Sequence, residues 1–123
     1  MCNDITNFEM LRKKSLYYKK RAATLEADGD LYSSLILYQR AMDIDEKLAS
    51  ITNTSSDRFT FAVLCYKIAA DSALGKRARL CYAKKGLTTS ANLKGENPTC
   101  TQYDVLCKAF INLIIETVII SSN

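Results

Sequence analysis

Histidine and tryptophan are absent from this 123-residue chain, proline occurs once (Pro98) and glycine four times. Without histidine, the serine and cysteine nucleophile arrangements that rely on an imidazole base are excluded, as are most zinc sites. So few turn formers suit long helices and argue against an all-β fold, whose many tight turns need glycine and proline. No glycine-rich phosphate loop occurs, no CxxC pair occurs, and no apolar run follows the N-terminus as a signal peptide would require. We expect no catalytic residues, no metal and no cofactor. Asp28 and Asp30 flank a turn and read as caps, since a calcium loop needs more oxygen ligands in fixed register.

What is present is ordinary globular composition, 48% hydrophobic and 24% charged, with a formal charge of +4. The five cysteines (Cys2, Cys65, Cys81, Cys100, Cys107) are odd in number and scattered. They read as free thiols in a reducing compartment, and a cytoplasmic location is expected. A Cys100–Cys107 disulfide would need a bend, because seven helical residues separate two side chains by roughly 10 Å.

Periodicity predicts an all-α fold of about five antiparallel helices: 8–27, 31–51, 58–74, 76–91 and 101–120. The stripe Leu11, Ser15, Tyr18, Ala22, Leu25 defines the first helix, and Leu31, Ser34, Leu35, Tyr38, Ala41, Met42 the second. Asp28-Gly29-Asp30, the stretch Thr52 to Ser56, Gly75 and the turn around Pro98 separate them. The expected organisation is a flexible stretch at 1–7 and a single helical domain at 8–121, with units at about 8–51, 57–92 and 100–120.

A repeat runs through the odd-numbered helices. Tyr18, Arg21, Ala22 and Leu25 correspond to Phe61, Leu64, Cys65 and Ile68, and these to Tyr103, Leu106, Cys107 and Phe110, at spacings of 43 and then 42 residues. The even helices repeat more weakly, Ser34-x3-Tyr38-x2-Ala41 against Ala78-x3-Tyr82, after which Lys85-Gly86 blurs the last small position. Small residues let a neighbouring helix approach, and large ones fill the space on either side.

Gly29 to Asp45 resembles the turn and second helix of the tetratricopeptide repeat family. Gly29 stands at the turn, Ser34 and Ala41 at the small positions and Tyr38 at the aromatic one. The resemblance spans roughly 15 to 120 and implies two helix hairpins plus a C-terminal apolar helix. The period departs from the usual 34 or so residues, Arg21 replaces an aliphatic residue, and Glu46 stands in place of a terminal proline. A rival is a three-helix bundle like the microtubule-interacting and trafficking domain, which accounts for residues 8 to 74 alone and binds a partner helix.

The resemblance implies a peptide or helix groove lined by the first, third and fifth helices, with Lys19, Ala23, Arg58, Ala62, Cys65, Tyr66, Ala69 and Lys108 as candidates. It also implies that the family's carboxylate clamp is missing: Lys19 matches one position, whereas Ala23, Val63, Thr101 and Val105 occupy the others. Cations and tyrosines between Arg12 and Arg21 point in nearly all directions on a helix, and a pI near 8.8 falls short of a nucleic-acid footprint. Lys76, Arg77, Arg79, Lys84 and Lys85 form a basic segment that either steers an acidic partner or solubilises the fourth helix.

The fifth helix is apolar around most of its circumference from Ala109 to Ile120, yet too short and too interrupted (Asn112, Glu116) to span a membrane. It is buried in the bundle, or joins two copies through Phe110, Ile111, Ile114, Ile115 and Val118, or receives a partner helix. The expected function is a non-enzymatic interaction or adaptor module with a protein or peptide partner, the alternative a homo-oligomerisation domain.

Overall fold

A computed structural model describes the backbone of residues 2–122 and the side chains of 7–119. It is all-α, with α1 (Cys2–Ala27), α2 (Leu31–Thr52), α3 (Ser55–Ala69), α4 (Lys76–Glu96) and α5 (Thr101–Ser122). No strand occurs among the described residues. α1 begins at Cys2, so residues 2–7, expected as a flexible stretch, are helical. The chain divides into two compact units, Met1–Asp57 and Arg58–Asn123.

In the first unit α1 packs against α2. Gly29 ends α1 in the left-handed region at φ 89°, where glycine lacks the Cβ penalty. Asp30 caps α2 by accepting from the Ser33 amide at 3.2 Å. Asn53 closes α2 at φ 52°, its N–H bonded to the Ala49 carbonyl. Ala22 and Ser34, both small and both buried, meet across the hairpin: Ser34 Oγ donates to the Ala22 carbonyl at 2.8 Å. A larger residue at either place would hold the helices too far apart for that bond.

Two features shift α3 from its expected bounds. Thr54 is its cap: Thr54 Oγ1 accepts from the Asp57 amide at 3.1 Å and donates back to the Asp57 carboxylate at 3.0 Å. The amide bond is the N-cap half of a capping box, while the carboxylate takes the Thr54 hydroxyl proton where the full motif would take the Thr54 amide; this cap starts the helix three residues earlier than 58. At the other end Asp71 Oδ1 accepts from the Ala73 amide at 2.9 Å, and the Leu74 amide bonds to the Asp71 carbonyl. This side-chain turn competes with the helix and ends it at Ala69 instead of Leu74.

In the second unit α4 packs against α5. Gly86 on α4 lies under the Phe110 ring so closely that a Cβ there would overlap the ring. Tyr66 meets the same ring edge-on, with centroids 5.4 Å apart. Cys107 Sγ and Ser90 Oγ touch at 3.4 Å in the same buried seam. Of the odd-helix repeat, the small position is buried in all three helices (Ala22, Cys65, Cys107). Cys65, Cys81, Cys100 and Cys107 form no disulfide.

Candidate functional site

Within the first unit the polar interior is built around two aspartates. Asp45 is buried on α2. It accepts from Ser15 Oγ at 2.6 Å, and Lys19 Nζ stands 2.7 Å from its other oxygen. Ser15 and Lys19 are one turn apart on α1, so one helical face supplies both partners. Asp57 accepts from Thr52 Oγ1 at 2.5 Å and Thr54 Oγ1 at 3.0 Å, and Arg12 Nη2 lies 2.8 Å away. The Arg12 hydrogen bond is the main cause that holds the Asp57 carboxyl below its usual range; Thr52 and Thr54 add to it, and burial opposes it.

In the second unit Arg58 grips Glu96 with two parallel bonds, Nη1 to Oε2 at 2.6 Å and Nη2 to Oε1 at 2.7 Å. This pairing lowers the Glu96 pKa and raises that of Arg58. Asp104 lies between Lys94 (2.6 Å) and Lys108 (2.9 Å), and these two bonds hold its carboxyl low.

The groove candidates therefore have these positions. Lys19, Arg58 and Lys108 are held by Asp45, Glu96 and Asp104. Ala62, Cys65 and Ala69 are buried, Tyr66 is half-buried on Phe110, and Ala23 is exposed. Of the basic segment, Lys76, Arg77, Lys84 and Lys85 are exposed. Lys76, Arg77 and Lys84 fall within about a third of the helix circumference. Arg79 is half-buried, and its Nε donates to the Ala69 carbonyl at 2.9 Å. It serves the C-terminal carbonyls of α3, where a cation is favoured.

The fifth helix has a buried inner face and an exposed outer one. Cys107, Phe110, Leu113 and Thr117 form a buried inner face. Phe110, expected on an oligomer face, is fully buried against Gly86 and Tyr66 instead, because one residue turns the helix by about 100° from Ile111. Ile114 is half-buried at the margin. Ile111, Ile115, Val118 and Ile119 remain 45, 51, 43 and 56% exposed. Their spacing of four, three and one residues puts them on one outer stripe roughly 100° wide. This is a contiguous aliphatic surface on a helix whose inner face is already satisfied.

A second surface was not visible in the sequence. Asn7, Phe8, Met10, Leu11 and Lys14 of α1 line a cleft of about 540 Å³ with Lys47 and Ile51 of α2. The signal that would have found it is a second stripe of α1 at 7, 10, 11 and 14, which shares only Leu11 with the core stripe.

No group of three or more metal-ligating side chains gathers among the described residues, and no helix there is long and apolar enough to cross a membrane. In comparisons with known proteins, no family model, no curated protein and no solved structure matches the chain.

Proposed function

We propose that this all-α protein is a non-enzymatic protein–protein association module, and that a second copy of the chain docks on the outer face of α5. The carrying observation is the stripe Ile111, Ile115, Val118, Ile119, four aliphatic side chains about half exposed in helical register. A two-fold interface needs a patch complementary to itself. Antiparallel pairing centred on Ile115 sets Ile111 of one copy opposite Ile119 of the other, aliphatic on aliphatic. Asp104 and Lys108, the charged pair in line with the stripe, then lie beyond the seam and stay in water.

Fully burying an isoleucine or valine from an exposed state is worth roughly 1.5–3 kcal/mol, so completing the burial of a half-exposed one gives about 1 kcal/mol. Eight such side chains in a pair of copies contribute roughly 8 kcal/mol against an association cost of about 4–15 kcal/mol. At the low end of that cost the net is about 4 kcal/mol, so the dimer is weak, with a dissociation constant of about a millimolar.

The small positions buried in all three odd helices support a tetratricopeptide-like mode of packing, and the free thiols support a reducing, cytoplasmic setting. The peptide-groove reading has less behind it, since three of its eight candidates are buried and three are held in ion pairs. Size exclusion with light scattering tests the proposal. The wild-type mass should rise with concentration, and Ile115→Asp should remain a monomer with unchanged helicity. A wild type whose mass stays that of a monomer up to several millimolar sinks the dimer.

A further inference from the structure

We infer that the cleft between α1 and α2 in the first unit is a binding site for a small anionic amphiphile, a single alkyl chain ending in a carboxylate. The volume of about 540 Å³ falls within the roughly 300–1,000 Å³ of pockets that take small molecules. Its lining is mostly apolar: Phe8, Met10, Leu11 and Ile51. Met10 and Ile51 stay largely exposed within it, 63 and 52%, which is the surface an alkyl chain would cover.

Charge complementarity selects the head group. Each wall contributes one lysine, Lys14 from α1 and Lys47 from α2. Lys14 Nζ lies 5.9 Å from the centre of the Tyr18 ring, a contact that leaves its ammonium free to take an anion. Neither lysine pairs with a carboxylate among the described residues, although Lys19, Lys94 and Lys108 all do. An acid at the head of an apolar ligand meets two cations at the margin while its chain lies against the aliphatic wall.

The lining also decides against a peptide. An extended backbone brings donors and acceptors that must be matched, and the cleft offers one neutral hydrogen-bonding side chain, Asn7. An alkyl chain requires no such partners. All seven lining residues belong to the first unit.

The test is a titration of the full chain with decanoate, below its micelle concentration, followed by calorimetry and by methyl NMR shifts at Leu11 and Ile51. Decyltrimethylammonium, with the same chain and the opposite head charge, serves as the comparator. Saturable decanoate binding with shifts confined to the cleft is expected. An exposed ion pair contributes a factor of roughly 1.5–5, so Lys14→Gln with Lys47→Gln should lower decanoate affinity about tenfold. The charge-matched control, Lys76→Gln with Arg77→Gln on α4, should change it less than twofold. Equal losses in the two double variants, equal affinity for the cationic comparator, or binding to anionic vesicles without binding to monomeric decanoate would each overturn the assignment.

Discussion

Replacing Asp57 with alanine removes the centre of the network that ties Arg12 of α1 and Thr52 of α2 to the start of α3. The carboxylate accepts from both threonine hydroxyls and from Arg12 at 2.5–3.0 Å, and it is buried. Hydrogen bonds to a charged group are each worth roughly 1.5–3 kcal/mol at most. The Arg12 side chain is about half exposed, which reduces its share to about 0.2–1 kcal/mol. Thr54 is exposed and rehydrates, and the bond from the Asp57 amide to Thr54 Oγ1 survives the substitution. The net loss is then about 2 kcal/mol, and at roughly 3–5 °C per kcal/mol for this chain length the melting temperature should fall by about 6–10 °C. The assay is thermal unfolding followed by circular dichroism at 222 nm. The pH dependence supplies an independent sign. The folded carboxyl titrates below the ordinary value of 3.8. Its stabilisation is complete well above 3.8, declines as the unfolded chain takes up the proton near 3.8, and is gone below the lowered folded value. The gap between wild type and Asp57→Ala should therefore close as the pH falls from 5 through that window. A drop of less than 2 °C at neutral pH, or a gap that persists to the lowest pH at which both fold, refutes the reasoning.

Other substitutions probe the remaining contacts. Gly86→Ala, which in an open helix would gain about 0.5–1 kcal/mol, should here lose roughly 1–3 kcal/mol by overpacking against Phe110; equal or raised stability in urea unfolding would contradict the close approach. Lys19→Met strands the buried Asp45 charge and should cost about 1–3 kcal/mol, less than a fully buried pair because Lys19 reaches water. Adding Asp45→Leu should recover much of that loss, and a double variant less stable than Lys19→Met alone would count against it. Ile115→Asp should abolish self-association and leave the melting temperature within about 2 °C, as expected of an exposed position.

Helix number and several helix ends were legible because periodicity and turn residues act locally: Gly29, Gly75 and the Pro98 turn fall between helices. α1 starts at Cys2, ahead of 8, and α4 runs on to Glu96, past 91; the exceptions in α3 have local causes of another kind. α3 starts early through the Thr54 cap and stops early through the Asp71 turn, and in both cases a short polar side chain outweighs the apolar pattern. Gly86, which blurs the even-helix repeat in sequence, is itself the small position: the ring it accommodates comes from Phe110, 24 residues away. The candidate site was less legible. Lys19, Arg58 and Lys108 read as available cations, but their carboxylate partners are 26, 38 and 4 residues distant. Only the last of these has a spacing that sequence reasoning recognises. The apolar excess of α5 was readable; which part of it faces outward depended on where Phe110 packs.

The most direct measurement is oxidative cross-linking of Ile115→Cys in a background with Cys2, Cys81 and Cys100 changed to serine. Helices packed roughly 8–10 Å apart, with Cα atoms at a radius of about 2.3 Å, bring facing Cα atoms to about 3.4–5.4 Å. The upper half of that range overlaps the roughly 4.4–6.8 Å a disulfide spans. Docking of two copies across α5 predicts rapid, concentration-dependent formation of a covalent dimer at position 115, and little at Val63→Cys, an exposed position on α3. Cross-linking at the two positions at equal rates, or none at 115, would contradict it.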